Sequence, residues 1–282
     1  MYFHYLTFSG VVALRVTIVN DCAHVMEDII PYLSSEFEIQ FLQRTRGLWS
    51  KTFGILWKIA KSEGDLWHVN YALQDAYIVS KLKHLDVLHC HGSDVRWTVH
   101  SKKWGWIVKR NLKKAEKVLY ATPDLEMSVK KYREDATYLP VPVKVDVFTP
   151  KYKYNNPPKA VYFKLVYEKL PLGLETYLKT RNVTLDIFEK NIPYEKMPET
   201  LRQYDIFIGC FSLPGFTKTC LEAMACGLAT IDYRHNPIDR VDELLAINLK
   251  EEGKKNREFV INNHDVKKVA KQLSEVWKSL ES

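Results

Sequence analysis

A loop and a short helix in the second half of the chain contain residue types that suit phosphate binding. Pro214 and Gly215 follow an apolar run, and a helix is expected to begin near Thr217 or Thr219. The first turn of such a helix has unpaired N–H groups and the positive end of the helix dipole, so it attracts anions. Glu222 lies one turn further on. Thr219 and Glu222 also have the spacing of a capping box, in which the glutamate bonds back to the helix start.

Polar side chains also follow two apolar runs of the first half. Asn20 and Asp21 come directly after the first run, and His91 and Asp94 come after the run that ends near residue 90. Ligands of doubly wound sheets bind beyond the carboxyl ends of the strands, so we expect these side chains to face a cleft. A single histidine is more often structural than functional, and both interpretations of His91 stay open.

A basic segment lies between residues 101 and 133. It contains ten Lys or Arg residues against three acids, a difference that equals the net charge of +7 of the whole chain. Its first part combines cations with two tryptophans: Lys102, Lys103, Trp104, Trp106, Lys109, Arg110, Lys113 and Lys114. Tryptophan favours the membrane interface, so the segment indicates an anionic membrane surface or an acceptor site. A solvated helix face is the plainer interpretation, and no nucleic-acid-reading motif accompanies the charge.

Apolar runs typical of strands alternate with helix-like stretches along the chain. These runs are at 14–20, 37–43, 65–70, 86–92, 117–122, 160–166, 183–189, 204–211 and 228–233. The alternation predicts an α/β fold with parallel sheets, in two doubly wound Rossmann-like domains that face a cleft. Five prolines between residues 140 and 158 mark a linker. We therefore predict domains at 1–152 and 153–263, followed by an amphipathic helix at 264–282 that packs back on the first domain.

Length and composition are typical of a protein with two globular domains. The chain has 282 residues, of which 46% are hydrophobic and 27% charged, and no apolar run approaches the length of a membrane span. Five cysteines occur without a CxxC pair, which favours free thiols in a reducing cytoplasm over disulfides. The same pattern gives no support to a metal site, and we expect neither a metal nor a cofactor.

Four segments resemble glycosyltransferases of family 4, which have the GT-B fold. The phrase GFTKTCLEAMACGLATI (215–231) is similar to their motif E-G-F-G followed by L-E-A-M-A-x-G, and FKLVYEKL (163–170) is similar to G-R-L-x-x-E-K-G. In the first half, LHCHGSDV (88–95) and LPVPVKVDVFTP (139–150) resemble the H-G-S-D loop and the crossing segment between the domains. The resemblance therefore spans most of the chain.

The resemblance implies a role for each matched position. Gly215, Phe216 and Thr217 would bind the donor diphosphate through backbone amides, with Lys218 and Thr219 beside them, and Glu222 would bind the ribose. Lys164 and Lys169 would stabilise the leaving diphosphate, on which negative charge grows as the glycosidic bond breaks. His91 would lie near the transferred sugar. Asp94, Asn20 and Asp21 would contact the sugar or the acceptor.

The implied activity is transfer of a sugar from a nucleotide-diphosphate donor to an unknown acceptor, retaining and without a metal. Pro214 stands where the family has the first glutamate of its motif, the residue that contacts the donor sugar. That difference keeps two alternatives open. One is a non-catalytic nucleotide-sugar or glycan-binding partner. The other is a nucleotide-sugar epimerase, which would need an acid and a base around the sugar.

Overall fold

The computed structural model describes residues 13–44, 53–150, 153–164, 168–189 and 192–281. Within them the chain forms two parallel β-sheets surrounded by helices. The first has the strand order β2-β1-β3-β4-β5-β6, and its strands are β1 Arg15–Val19, β2 Glu38–Leu42, β3 Leu66–Asn70, β4 Val87–Cys90, β5 Lys117–Tyr120 and β6 Thr137–Tyr138. Its helices are α1 Val25–Leu33, α2 Ile55–Lys61, α3 Gln74–Leu82, α4 Ser93–Arg96, α5 Gly105–Lys114 and α6 Glu126–Lys130.

The second sheet is smaller and has the strand order β10-β9-β7-β8. Its strands are β7 Lys159–Phe163, β8 Thr184–Phe188, β9 Ile206–Ile208 and β10 Ala229–Ile231. The helices of this half are α7 Leu174–Thr180, α8 Met197–Leu201, α9 Lys218–Ala225, α10 Pro237–Ala246, α11 Leu249–His264 and α12 Val266–Lys278. The predicted fold class, two doubly wound α/β units, is confirmed, because all strand pairs between these elements are parallel and the order of each sheet requires crossovers.

Helices cover both faces of the first sheet because its strands send alternate apolar side chains to opposite sides. In β4, Val87 packs into the cluster that contains α1 and α12, whereas Leu88 packs into the cluster that contains α2, α3 and α5. Leu119 and Val118 of β5 divide in the same way. The two helical layers are therefore on opposite sides of one sheet.

Helix α12 returns to the first sheet and packs against α1. Trp277 is completely buried there, in edge contact with Phe37, and its Nε1 donates a hydrogen bond to Nδ1 of His68 at 3.2 Å. Val143 of the crossing segment accepts from the Val266 amide at 3.0 Å. The chain thus crosses from the first sheet to the second at residues 139–150 and comes back at α12.

Candidate functional site

The loop after β9 leads into α9 through a side-chain cap. Thr217 Oγ1 accepts a hydrogen bond from the Cys220 amide at 3.2 Å, and α9 begins at Lys218. The Thr219–Glu222 capping box does not form, since Thr217 is the residue that caps the helix. A Cβ on Gly215 would lie 2.8 Å from Oδ1 of Asp124. A glycine is therefore required where this loop passes the first domain.

The Asp124 carboxylate cannot easily move away from that loop. Arg96 binds it with two hydrogen bonds, at 2.7 and 3.0 Å, and both side chains are largely buried. A bidentate pair of this kind fixes the carboxylate in position. The phosphate-binding loop predicted from the sequence therefore lies against a rigid part of the first domain.

Glu168 binds the same loop from the second domain. Its Oε1 accepts hydrogen bonds from the amides of Phe211 and Ser212, in the loop after β9. Sequence reasoning missed this residue, although it stands beside Lys169 in the segment FKLVYEKL. A carboxylate on two successive amides shows that this turn binds anionic oxygen.

Glu222 is almost completely buried at the boundary between the two halves of the chain. Only 2% of its surface is exposed, and its Oε1 lies 3.0 Å from the hydroxyl of Tyr194. Burial raises the pKa of Glu222 to about 7, although the nearby Lys218 acts in the opposite direction. The residue implied to bind ribose is therefore present and covered by Tyr194.

Asp28 of α1, in the first domain, contacts Lys218 and Tyr194, which lie beside Glu222. Lys218 Nζ lies 2.5 Å from Asp28 Oδ2, Lys144 Nζ lies 2.8 Å from Oδ1, and the Tyr194 hydroxyl lies 2.8 Å from Oδ2. His24 stacks on the Tyr194 ring at 4.5 Å between centroids. Sequence reasoning missed Asp28 and Tyr194, since neither belongs to a local motif. Lys218, assigned to the donor, forms an ion pair with Asp28 instead of facing solvent.

The two lysines implied to bind the diphosphate follow β7. Lys164 comes directly after the strand, and its Nζ bonds to Glu189 Oε1 at 2.8 Å, with both side chains exposed. Lys169 is exposed as well. An ion pair so open to solvent is weak, so Lys164 remains available to an anion.

An open cavity of about 570 Å³ lies at the carboxyl edge of the first sheet. Asn20 and Asp21 line it, as do His24 and Tyr71. Left-handed backbone conformations occur at Asn20, Ala23, His24 and Tyr71, with φ between 52° and 74°. Such conformations in residues other than glycine are costly and concentrate at functional sites. Asp21 caps α1, because its carboxylate accepts from the amides of Met26 and Glu27.

His91 is oriented by Asn70. Nδ2 of Asn70 donates to the Asn20 carbonyl at 2.8 Å, so its Oδ1 must accept, at 2.8 Å, from Nε2 of His91. This fixes the proton on Nε2 and leaves Nδ1 as an acceptor. Burial lowers the pKa of His91 to about 3. The ring is therefore neutral at neutral pH, and its Nδ1 is able to accept a hydrogen bond.

Asp94 is completely buried and connects two loops. Its oxygens accept hydrogen bonds from the amides of Gly92, Val95 and Ala72, each at 3.0 Å. These bonds join the loop after β4 to the loop after β3. Burial nevertheless raises the pKa of Asp94, because its effect exceeds that of the bonds. Asp94 therefore supports the loop that contains His91.

The basic segment places its side chains on the outside of the first domain. Lys102, Lys103 and Trp104 precede α5, and Trp106, Lys109, Lys113 and Lys114 are exposed on it. Arg110 is half-buried and donates to Ser80 of α3 at 2.7 Å. No helix of the described residues is long and apolar enough to cross a bilayer. This segment is separate from the cavity and from Glu222.

No protein-family model matches the chain, and no curated protein matches its sequence. Solved structures share its fold. Sucrose-phosphate synthase from Thermosynechococcus elongatus has a TM-score of 0.68 at 14% identity, covering 95% of this chain and 99% of that one. A UDP-forming α,α-trehalose-phosphate synthase from Burkholderia vietnamiensis has a TM-score of 0.64 at 10% identity, covering 96% and 98%. A protein assigned as a UDP-N-acetylglucosamine 2-epimerase from Listeria monocytogenes has a TM-score of 0.63 at 10% identity, covering 95% and 96%. These likenesses show the GT-B fold.

Proposed function

We propose that the protein is a glycosyltransferase that moves a sugar from a nucleotide-diphosphate donor to an acceptor bound on the first domain. One observation carries the proposal. The loop after β9 passes Asp124 of the first domain at Gly215, and Lys218 of α9 bonds to Asp28 and to the carbonyl of His24, a residue that lines the cavity. The names of two structural neighbours, a sucrose-phosphate synthase and a UDP-forming trehalose-phosphate synthase, support a nucleotide-sugar donor.

The residues divide between the two substrates. The amides of Phe216 and Thr217 and the cations Lys164 and Lys169 bind the diphosphate and stabilise its charge as it leaves, whereas the Gly215 amide donates to the Leu213 carbonyl. Glu222 binds the ribose hydroxyls. His91, neutral and protonated on Nε2, accepts a hydrogen bond from a sugar hydroxyl through Nδ1. Because Glu222, whose pKa is about 7, is assigned to the ribose, we propose that the leaving phosphate takes the acceptor proton. The resemblance to family 4 implies that this reaction is retaining and needs no metal.

Donor binding requires the Tyr194 ring to move away from Glu222, which lies in the same half of the chain. The Tyr194 hydroxyl covers Glu222 and lies within hydrogen-bond distance of Asp28. A ribose reaches the glutamate only after that ring has moved. The proposal therefore includes a form in which Tyr194 is displaced, which its hydrogen bond to Asp28 opposes.

Nucleotide binding tests the proposal. UDP, ADP and GDP are titrated by calorimetry and by thermal shift, because a ligand of the native state raises the melting temperature. One of them should bind, and Lys169→Ala should weaken binding at least about tenfold and cut sugar transfer about 10²-fold, as expected when a positioned charge contact is lost. Glu222→Gln should weaken binding while keeping the volume of the side chain.

The matched control is Lys179→Ala. This lysine is also exposed and follows the same strand, but it lies in the last turn of α7. Lys179→Ala should leave binding and transfer unchanged. Full affinity in both Lys169→Ala and Glu222→Gln would refute the assignment of the donor site.

A non-catalytic nucleotide-sugar-binding partner is the second candidate. Pro214 in place of the motif glutamate and the covered carboxyl of Glu222 favour it. This candidate predicts nucleotide affinity without hydrolysis or transfer of the donor. Product detection with labelled donor sugars therefore distinguishes the two functions.

We also propose that the protein works in the cytoplasm. All five cysteines are free, and four of them are buried: Cys90, Cys210, Cys220 and Cys226. Free thiols in this number suit a reducing compartment. Cell fractionation followed by alkylation of the thiols tests the location.

A further inference from the structure

Three helices form one continuous layer on the outside of the first sheet. Helix α3 packs against α2 on one side and against α5 on the other. Their apolar sides are buried together, through Ile59 of α2, Val79 of α3 and Val108 of α5. Their opposite sides therefore make a single outer surface, here called the basic face: the exposed side chains of α2, α3 and α5.

The charges of the basic face have one sign. The three helices contain seven cations, namely Lys58, Lys61, Lys81, Lys109, Arg110, Lys113 and Lys114. Their one acidic residue is Asp75, which is turned inward, with 9% of its side chain exposed, and bound to Arg44. A surface with this number of cations and no exposed acidic residue creates a positive potential that extends into solvent.

Tryptophans stand among these cations. Trp57 of α2 is 62% exposed and Trp106 of α5 is 55% exposed. The Lys61 ammonium lies 4.1 Å from the centre of the Trp57 ring, and Tyr77 of α3 meets Trp106 edge to face at 5.7 Å. Large apolar rings beside cations suit the interface of a bilayer, where the ring enters the headgroup region and the ammonium binds phosphate. Trp104, with Lys103 5.1 Å from its ring, extends the surface beyond the start of α5.

We propose that the basic face is a docking surface for an anionic lipid bilayer. The sequence indicates only the part of this surface in and before α5. The structure shows that α2 and α3 belong to the same surface. Nucleic acid would use the cations but leave the exposed Leu56 and Leu82 without a partner. A bilayer accommodates both kinds of side chain.

The opposite side of the sheet provides a comparison. Helix α12 also carries several lysines, but Lys267 pairs with Asp146, Lys278 pairs with Glu36, and its tryptophan is buried. Lys268 and Lys271 are exposed there without an exposed aromatic ring on the same helix. Removing these two charges changes the net charge of the protein without touching the basic face.

Vesicle flotation of the full chain tests the proposal. The protein should float with vesicles of phosphatidylcholine and phosphatidylglycerol, stay in solution with phosphatidylcholine alone, and be released by about 0.5 M salt, at which surface charges are screened. Lys61→Gln with Lys81→Gln should weaken partitioning about 30-fold, because each surface cation contributes about a factor of five. Lys268→Gln with Lys271→Gln should change it less than twofold.

Three outcomes would overturn the proposal. One is equal partitioning of parent and Lys61/Lys81 variant, and another is an equal loss in both double variants. The third is binding to a labelled single-stranded oligonucleotide without binding to anionic vesicles. Matching melting temperatures confirm that the variants are folded. Nucleotide affinity is measured on the same samples, so failure of the donor site and failure of the membrane surface are separate results.

Discussion

Asp28→Asn should destabilise the protein more than any exposed ion-pair variant. The Asp28 side chain is 1% exposed and that of Lys218 is 6% exposed, so the charges have little contact with water. Removing the Asp28 charge leaves Lys218 buried without its ion-pair partner, which costs about 3–5 kcal/mol. For a chain of this size the melting temperature should fall by about 10 °C. The Tyr194 hydroxyl loses a charged acceptor in the same variant.

Urea unfolding, followed by tryptophan fluorescence, measures the free energy of unfolding of each variant. Lys218→Met removes the other charge, and the double variant Asp28→Asn/Lys218→Met removes both. The double variant no longer contains a buried Lys218 without its ion-pair partner, so it should be more stable than Asp28→Asn alone. The coupling energy in this cycle measures the interaction between Asp28 and Lys218.

Asp146→Asn provides the matched control. Asp146 and Lys267 form an ion pair of similar length, 2.7 Å, with side chains that are 67% and 57% exposed. Its loss should cost no more than about 0.5 kcal/mol. The reasoning is wrong if Asp28→Asn lowers the free energy of unfolding as little as Asp146→Asn does. It is also wrong if adding Lys218→Met to Asp28→Asn restores none of the lost stability.

Three further variants or conditions test the interior. His68 is completely buried, and burial lowers its pKa from 6.5 to about 3. As the pH falls below 6.5, His68 therefore binds a proton in the unfolded chain but not in the folded one, which should lower the free energy of unfolding by about 2 kcal/mol at pH 5. His68→Leu should weaken that pH dependence. Trp277→Ala should cost about 3–5 kcal/mol, measured in urea, because the cavity lies between α12 and the first sheet. Gly215→Ala should cost about 1–3 kcal/mol, since its methyl group would contact the fixed Asp124 carboxylate; an unchanged melting temperature would show that the carboxylate moves.

Nine of the ten described strands could be predicted from the sequence because each falls in an apolar run, whereas β6, with only two residues, was missed. Helix α11 could not be predicted, although it is the longest described helix at 16 residues. Its buried residues include Gly253 and Asn256, so it has no apolar stripe. It packs instead by close approach, since a Cβ on Gly253 would meet the Gly227 carbonyl at 2.0 Å, and by the bond from Asn256 to the Leu228 carbonyl. Hydrophobic periodicity cannot detect that kind of contact.

Only the part of the candidate site that is formed by consecutive residues could be predicted from the sequence. Local spacing indicated the loop before α9 and Glu222, because a phosphate-binding helix start is contained in a few consecutive residues. The ion pair of Asp28 and Lys218 joins residues 190 positions apart, and Tyr194 comes from a third segment. Neither residue type is unusual where it occurs. Only the folded chain shows that they cover the glutamate.

The return of α12 to the first sheet affects the order in which the protein can be made. Ser274 of this helix donates to Glu36, 238 residues earlier in the chain. A chain emerging from the ribosome therefore exposes the apolar side of α1 throughout translation of the second domain, with Ile29 and Leu33 open to chaperones and to other nascent chains. The first domain, although translated first, is completed last.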